Sequence, residues 1–134
     1  MAYFHATFRE RLDSIQAHGL GARAGEHQNF PGSDTAGAYL AENPMLAVGI
    51  LLEMALLGPV KDKSPREYIE SIVVLVIDAS RVDVARLEPD PAIEREGFWF
   101  YRGVIDVSAM PVIDSDHAAE YGRIAASSEN FRII

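Results

Sequence analysis

An α+β domain with a mainly antiparallel sheet is predicted by three observations. The run Ile72-Val73-Val74-Leu75-Val76-Ile77 is continuous and largely β-branched, as suits a central strand buried on both faces. Two stretches instead carry helix signals at their ends, Thr7 to Gly19 and Asn43 to Gly58. The resulting order, β-α-loop-β-α-β-β-β-α, implies an antiparallel sheet, in one piece or split in two, with flanking helices. No repeat or composition break marks a boundary within the 134 residues, so residues 1–134 are expected to form a single domain.

Residues 2–6 read as a first strand, with Tyr3 and His5 on one face and Phe4 on the other. Thr7-Phe8-Arg9-Glu10 has the pattern of a capping box, in which the hydroxyl and the carboxylate each accept from the other residue's backbone. Phe8, Leu12 and Ile15 continue at helical spacing to a left-handed stop at Gly19. Residues 20–36 show no periodicity and read as a long loop, either a lid or an idle surface segment. Ala38-Tyr39-Leu40 reads as a second strand. Asn43 as N-cap and Pro44 at the first helical position then open a helix closed by Gly58-Pro59. That helix is apolar on nearly all sides. It is expected either to be sandwiched in the core or to be shared across a homodimer contact through residues 44–57.

Residues 59–69 are charged and turn-prone, an exposed connection, and the central strand follows and ends at Asp78. Val82, Val84 and Leu87 suggest a short extended piece before the turn Pro89-Asp90-Pro91. Phe98-Trp99-Phe100-Tyr101 reads as another strand, which Val104-Ile105 continues or pairs with. Asp114 or Ser115 caps a final helix running to about residue 126.

Composition excludes several chemistries. With no cysteine there is no disulfide, thiolate nucleophile or cysteine-ligated metal centre. A net charge of −8 repels a phosphate backbone, which argues against nucleic acid. The four histidines show no His-X-X-X-His or Glu-X-X-His spacing, so no metal site is expected. No Gly-X-Ser-X-Gly elbow, dinucleotide-binding glycine turn or Gly-Lys-Ser/Thr loop is present. The apolar run 44–57 is shorter than the roughly 20 residues a bilayer demands, and it holds Glu53. The N-terminus has neither a basic nor an apolar leader region, which predicts a cytoplasmic protein.

Taken together, Tyr3-Phe4-His5-Ala6-Thr7, then Ile15 with His18-Gly19-Leu20, then Gly37-Ala38-Tyr39-Leu40-Ala41 with Ala47, resemble the ADP-ribosyltransferase superfamily. The likeness is to its poly(ADP-ribose) polymerase-like, His-Tyr-Glu class. Ile72 to Asp78 and Gly97 to Ile105 fit the closing half, so the resemblance spans about residues 2–113. Each motif is short, and the specificity lies in their order. The resemblance implies a split, mainly antiparallel sheet and an NAD-dependent ADP-ribosyltransferase, with NAD consumed as substrate. Such an enzyme expels nicotinamide and passes ADP-ribose to an acceptor, here an unidentified protein or small molecule.

By that resemblance His5 anchors the adenosine ribose, and the backbone of Ala6, a glycine in the family, holds the carboxamide. Thr7 takes the neighbouring hydroxyl position and Tyr39 stacks on the cationic ring. The bland readings are a strand histidine bonded to a carbonyl, a core tyrosine and a helix cap. The family's late-strand Glu aligns with Phe98. Either Glu96 serves as the catalytic carboxylate through a bulge at Gly97, or the role is displaced, or the chemistry is lost. Glu94 and Glu96 otherwise read as a solvated turn beside Arg95.

Arg102 is a candidate pyrophosphate contact, and Arg9, Arg11 and Arg23 are candidate diphosphate contacts. The related RNA 2′-phosphotransferases share an aromatic-arginine stretch. They carry a second histidine where this chain has Tyr39, and an N-terminal helical domain that it lacks. Two alternatives remain beside the transferase. One is a catalytically inactive domain of the same fold that binds a nucleotide or a protein; the other, from charge and size alone, is an acidic inhibitor.

Overall fold

The computed structural model describes residues 2–21, 37–58, 63–90, 93 and 95–120. Most of the expected loop 20–36 lies outside these residues, as do Arg23, Glu94 and the end of the last expected helix. Among the described residues six strands form one antiparallel sheet: β1 (Ala2–Phe8), β2 (Ala38–Ala41), β3 (Ile72–Asp78), β4 (Leu87–Pro89), β5 (Phe98–Tyr101) and β6 (Val112–Asp114). Their order across the sheet is β4-β5-β2-β1-β3-β6. β3 lies inside the sheet, antiparallel to β1 along its whole length and to β6 on its other side. Its uninterrupted apolar run is thus covered on both faces, as the sequence predicts.

Three helices flank the sheet: α1 (Leu12–His18), α2 (Pro44–Leu57) and α3 (Pro65–Ser71); residues 115–120 are helical too. On one face Ala47, Val48, Ile50 and Leu51 of α2 pack with Phe4, Ala6, Tyr39, Ala41, Ile72, Val74 and Phe98. On the other, Leu12 and Ile15 of α1 join Tyr3, Leu40, Leu75, Ile77, Tyr101 and Ile105. Asn43 caps α2 as expected, its side chain accepting from Met45 N at 2.7 Å. Other positions of this largely apolar helix face outward, with Met45 and Leu46 partly exposed and Leu57 77% exposed.

The sequence reading departs from the structure in several places. Thr7 caps no helix. β1 runs on through Phe8, and Thr7, buried in the strand, pairs with Val73. A continuous partner strand is available there, so sheet pairing overrides the local capping pattern. The helix begins only at Leu12, after a single 3-10 turn. Its stop at Gly19 is as expected, with φ +94° and the Gly19 N–H on the Ile15 carbonyl.

The charged connection 59–69 hides α3. Ser64 and Glu67 form a reciprocal capping box with Pro65 at the first turn. Val104-Ile105 neither extends β5 nor pairs with it; Ile105 bridges Leu20 instead. The short strand β6 carries no strand signal in the sequence.

Candidate functional site

β1 and β2 are joined as strands through one residue pair, Phe4 with Ala41. By contrast β2 pairs with β5 along all four of its residues. Past Phe4 and Ala41, side chains bridge β1 and β2 in place of the backbone ladder. His5 Nδ1 donates to the Tyr39 carbonyl at 2.9 Å. A carbonyl only accepts, so Nδ1 carries the proton and Nε2 the lone pair. In return the Tyr39 hydroxyl donates to the Ala6 carbonyl at 2.8 Å.

The two rings stand 4.4 Å apart, tilted by 40°. Alternation along β1 sets His5 on the Tyr3 side and Ala6 on the α2 side, where Tyr39 packs. Imidazole and phenol therefore meet through the seam between the strands. The structure brings together His5, Ala6 and Tyr39, three of the residues that the sequence singles out.

The pair is enclosed. His5 is 3% exposed and Tyr39 4%. Burial lowers the His5 pKa to about 4, against a smaller opposite effect of its bond to the Tyr39 carbonyl, so the imidazole is neutral at pH 7. Burial likewise holds the Tyr39 phenol well above its ordinary range, and the charge of Asp90 pushes the same way. Two neutral groups of this kind supply a stacking face, a hydroxyl and an imidazole acceptor; neither is a ready general base. Among the described residues no buried side-chain nitrogen or oxygen lacks a hydrogen-bond partner.

Thr7 lies two residues on from His5 and is also buried. Phe98, at the position where the resemblance expects Glu, is a buried β5 residue opposite Ala41, its ring 6.5 Å from that of Tyr39. Glu96 is exposed on the turn before β5. Gly97 has the positive φ of +86° that a local kink needs. Its carbonyl accepts from Glu42 N at 2.9 Å. Beside Glu96, Arg95 is held in a two-pronged bond to Glu53 of α2 at 2.8 and 2.9 Å.

Of the candidate arginines, Arg102 and Arg11 are engaged elsewhere. Arg102 meets Glu88 at 2.6 Å and lies over the Phe100 ring, and Arg11 lies over Phe8. Arg9 lines an open groove of about 500 Å³ with Phe8, Glu10, Lys63, Glu67 and Ser71. That groove sits at the Phe8 end of β1, and neither His5 nor Tyr39 lines it. Among the described residues no three His, Asp or Glu side chains gather as a metal site. Nor is any described helix long and apolar enough to cross a membrane.

Asp90 is the residue the sequence undervalues, since its letters mark only a proline turn. The residue is 5% exposed, and His5, Thr7 and Asp90 are the buried polar or charged residues among those described. Burial here depends on how β4 lies against β5, which no local pattern records. Comparison of the chain with protein-family models, with curated proteins and with solved structures returned no match.

Proposed function

We propose that this chain is a small NAD-dependent ADP-ribosyltransferase acting on a protein or small-molecule acceptor. The observation that carries the reading is the meeting of His5, Tyr39 and the Ala6 carbonyl across the β1–β2 seam. Residues 34 positions apart supply one aromatic face, one imidazole and one backbone acceptor within hydrogen-bond reach of each other. The single-pair seam also supports reading the sheet as the family's two-part sheet.

In the reaction, the bond between the ribose C1′ and the nicotinamide nitrogen breaks. Its electron pair stays with the nitrogen and neutralises the pyridinium. The acceptor's lone pair closes on C1′, and the acceptor's proton passes to solvent. Between these events the sugar has oxocarbenium character, so orientation and nearby negative charge decide the rate. For a carboxamide to use the Ala6 carbonyl, the Tyr39 hydroxyl must first leave it.

That last contact favours a second reading. Tyr39 satisfies the very carbonyl a carboxamide would take, and Phe98 stands where a carboxylate is expected, as in a catalytically inactive domain of this fold. The test is nicotinamide release from NAD⁺ by the purified chain, with calorimetric titration of NAD⁺ and ADP-ribose. Release that is lost in His5→Ala and Tyr39→Ala supports the transferase. Binding without release supports the inactive domain, and binding of neither ligand removes both nucleotide readings.

A further inference from the structure

We infer that the groove at the Phe8 end of β1 binds a zwitterion of the amino-acid type, with its carboxylate between Arg9 and Lys63 and its ammonium on Glu10 and Ser71. This site is separate from the His5–Tyr39 pair and does not rest on the nucleotide reading.

The groove is built from two segments that β1 and β3 hold side by side. Phe8 pairs with Ile72, so the turn that continues β1, Arg9–Arg11, lies next to α3, which leads into β3. Arg9 and Glu10 line the space from the turn, and Lys63 from just before the Ser64 cap of α3. Glu67, Glu70 and Ser71 line it from α3, where spacings of three and four set them on one face. Its volume of about 500 Å³ lies in the range of small-molecule sites.

Unmatched charge distinguishes this groove. Among the described residues Arg66, Arg81, Arg86, Arg95 and Arg102 each have a carboxylate oxygen at 2.6 to 3.7 Å. The Arg9 guanidinium and the Lys63 ammonium have no hydrogen bond or ion pair among the described residues, although three glutamates line the same walls. Lys63 is half-buried besides, where an unpaired ammonium is costlier than on an open surface. Two of the glutamates are turned to other partners. Glu67 takes the Ser64 N–H in the helix cap, and Glu70 meets Arg66 at 3.4 Å. The Glu10 carboxylate, like the two cations, has no such bond.

Charge then selects the ligand. Arg9 supplies a planar fork and Lys63 a point charge, the two ways side chains hold a carboxylate or a phosphate. A phosphate dianion would be repelled by three wall carboxylates. A single carboxylate tethered to an ammonium answers both signs. The cations hold one end and Glu10 the other. The Ser71 oxygen accepts from the ammonium as well, its own proton being given to the Glu67 carbonyl at 2.8 Å. Phe8 offers the apolar contact for a side chain. Free amino acids and short peptides both carry this pair of charges, on one carbon or at the two ends of a chain.

The experiment follows the amide resonances of the isotope-labelled chain during titration with leucine, Gly-Leu, N-acetylleucine, leucine amide and pyrophosphate. Leucine or Gly-Leu is expected to shift the amides of Phe8 to Glu10 and of Lys63 to Ser71 saturably, and the tighter of the two tells the amino acid from the peptide. N-acetylleucine and leucine amide, with one charge each, should bind about two- to fivefold more weakly, the worth of one exposed ion pair. Arg9→Gln and Lys63→Gln should each weaken the zwitterion by a similar factor, and Arg81→Gln, which removes a charge elsewhere, should not. Should a variant fail to fold, the one-charge ligands on the wild type still decide. Pyrophosphate binding more tightly than either zwitterion, equal binding of the one-charge ligands, unchanged affinity in Arg9→Gln and Lys63→Gln, or no saturable shift at these residues overturns the assignment.

Discussion

His5 makes stability depend on acidity from pH 6.5 downward, above the range in which the carboxylates titrate, save Glu53, whose bond to Arg95 lowers its pKa from 4.5. Its pKa falls from 6.5 in an open chain to about 4 in the fold because burial penalises the imidazolium. Between those values the unfolded chain binds a proton that the folded chain refuses, so stability is full above pH 6.5 and is lost as pH falls toward 4. At about 1.4 kcal/mol per pH unit, the interval amounts to about 3 kcal/mol, a large share of the ~5–15 kcal/mol typical of a domain. Asp78, Asp106 and Asp114 have pKa values below the usual 3.8, held there by backbone N–H donors of Ser80, Ser108 and His117. The stability these three contribute is present above 3.8 and is lost only at lower pH, beneath the His5 window.

Urea unfolding followed by far-ultraviolet circular dichroism from pH 7 to 4.2 measures the slope. In His5→Asn the amide nitrogen sits where Nδ1 does and reaches the Tyr39 carbonyl without titrating. That variant should start less stable, having lost the ring contact with Tyr39, and should lose most of the slope above pH 4.2. A wild type as stable at pH 4.5 as at 7, or a variant with an equal slope, would refute the reasoning.

Other outcomes follow from single contacts. Tyr39→Phe leaves the buried Ala6 carbonyl without its donor and should cost about 1–3 kcal/mol in denaturant titration. By freeing that carbonyl, the same change should not weaken nicotinamide binding. Phe98→Ala opens a hole beside Tyr39 and is expected to cost about 3–5 kcal/mol, read as a lowered urea midpoint at unchanged m-value. Asn43→Ala removes the cap on Met45 N and should cost about 0.5–2 kcal/mol, visible as a lower thermal midpoint.

The legible parts of the fold are those whose cause is local. β3 is readable because a two-sided burial demand is written in every residue from Ile72 to Ile77, and α2 because Asn43-Pro44 and Gly58 carry its ends. Ser64-Pro65-Arg66-Glu67 carried an equally local signal, obscured by the surrounding charge. Thr7 misleads for the opposite reason: its capping pattern is real in sequence, but a whole strand competes for its backbone. β6 has only three residues, and they are a strand because the far edge of β3 is there to pair with.

At the site, motif order singles out His5 and Tyr39, and their rings lie side by side. Their mutual closure could not be read, since it depends on β1 and β2 parting after one pair. The burial of Asp90 depends in the same way on a register between strands ten residues apart in the chain.

The sheet has a fault line. On one side β4, β5 and β2 are laddered together, and on the other β1, β3 and β6. Where β2 meets β1, one backbone pair is joined by the side-chain bonds of His5 and Tyr39. α2 lies across the break as a splint, touching β1, β2 and β3. What the backbone ladder leaves undone at this line, packing completes: Phe4, Ala6 and Val74 on one side share a core with Tyr39, Ala41 and Phe98 on the other, so the imidazole and the phenol are sealed by both halves at once.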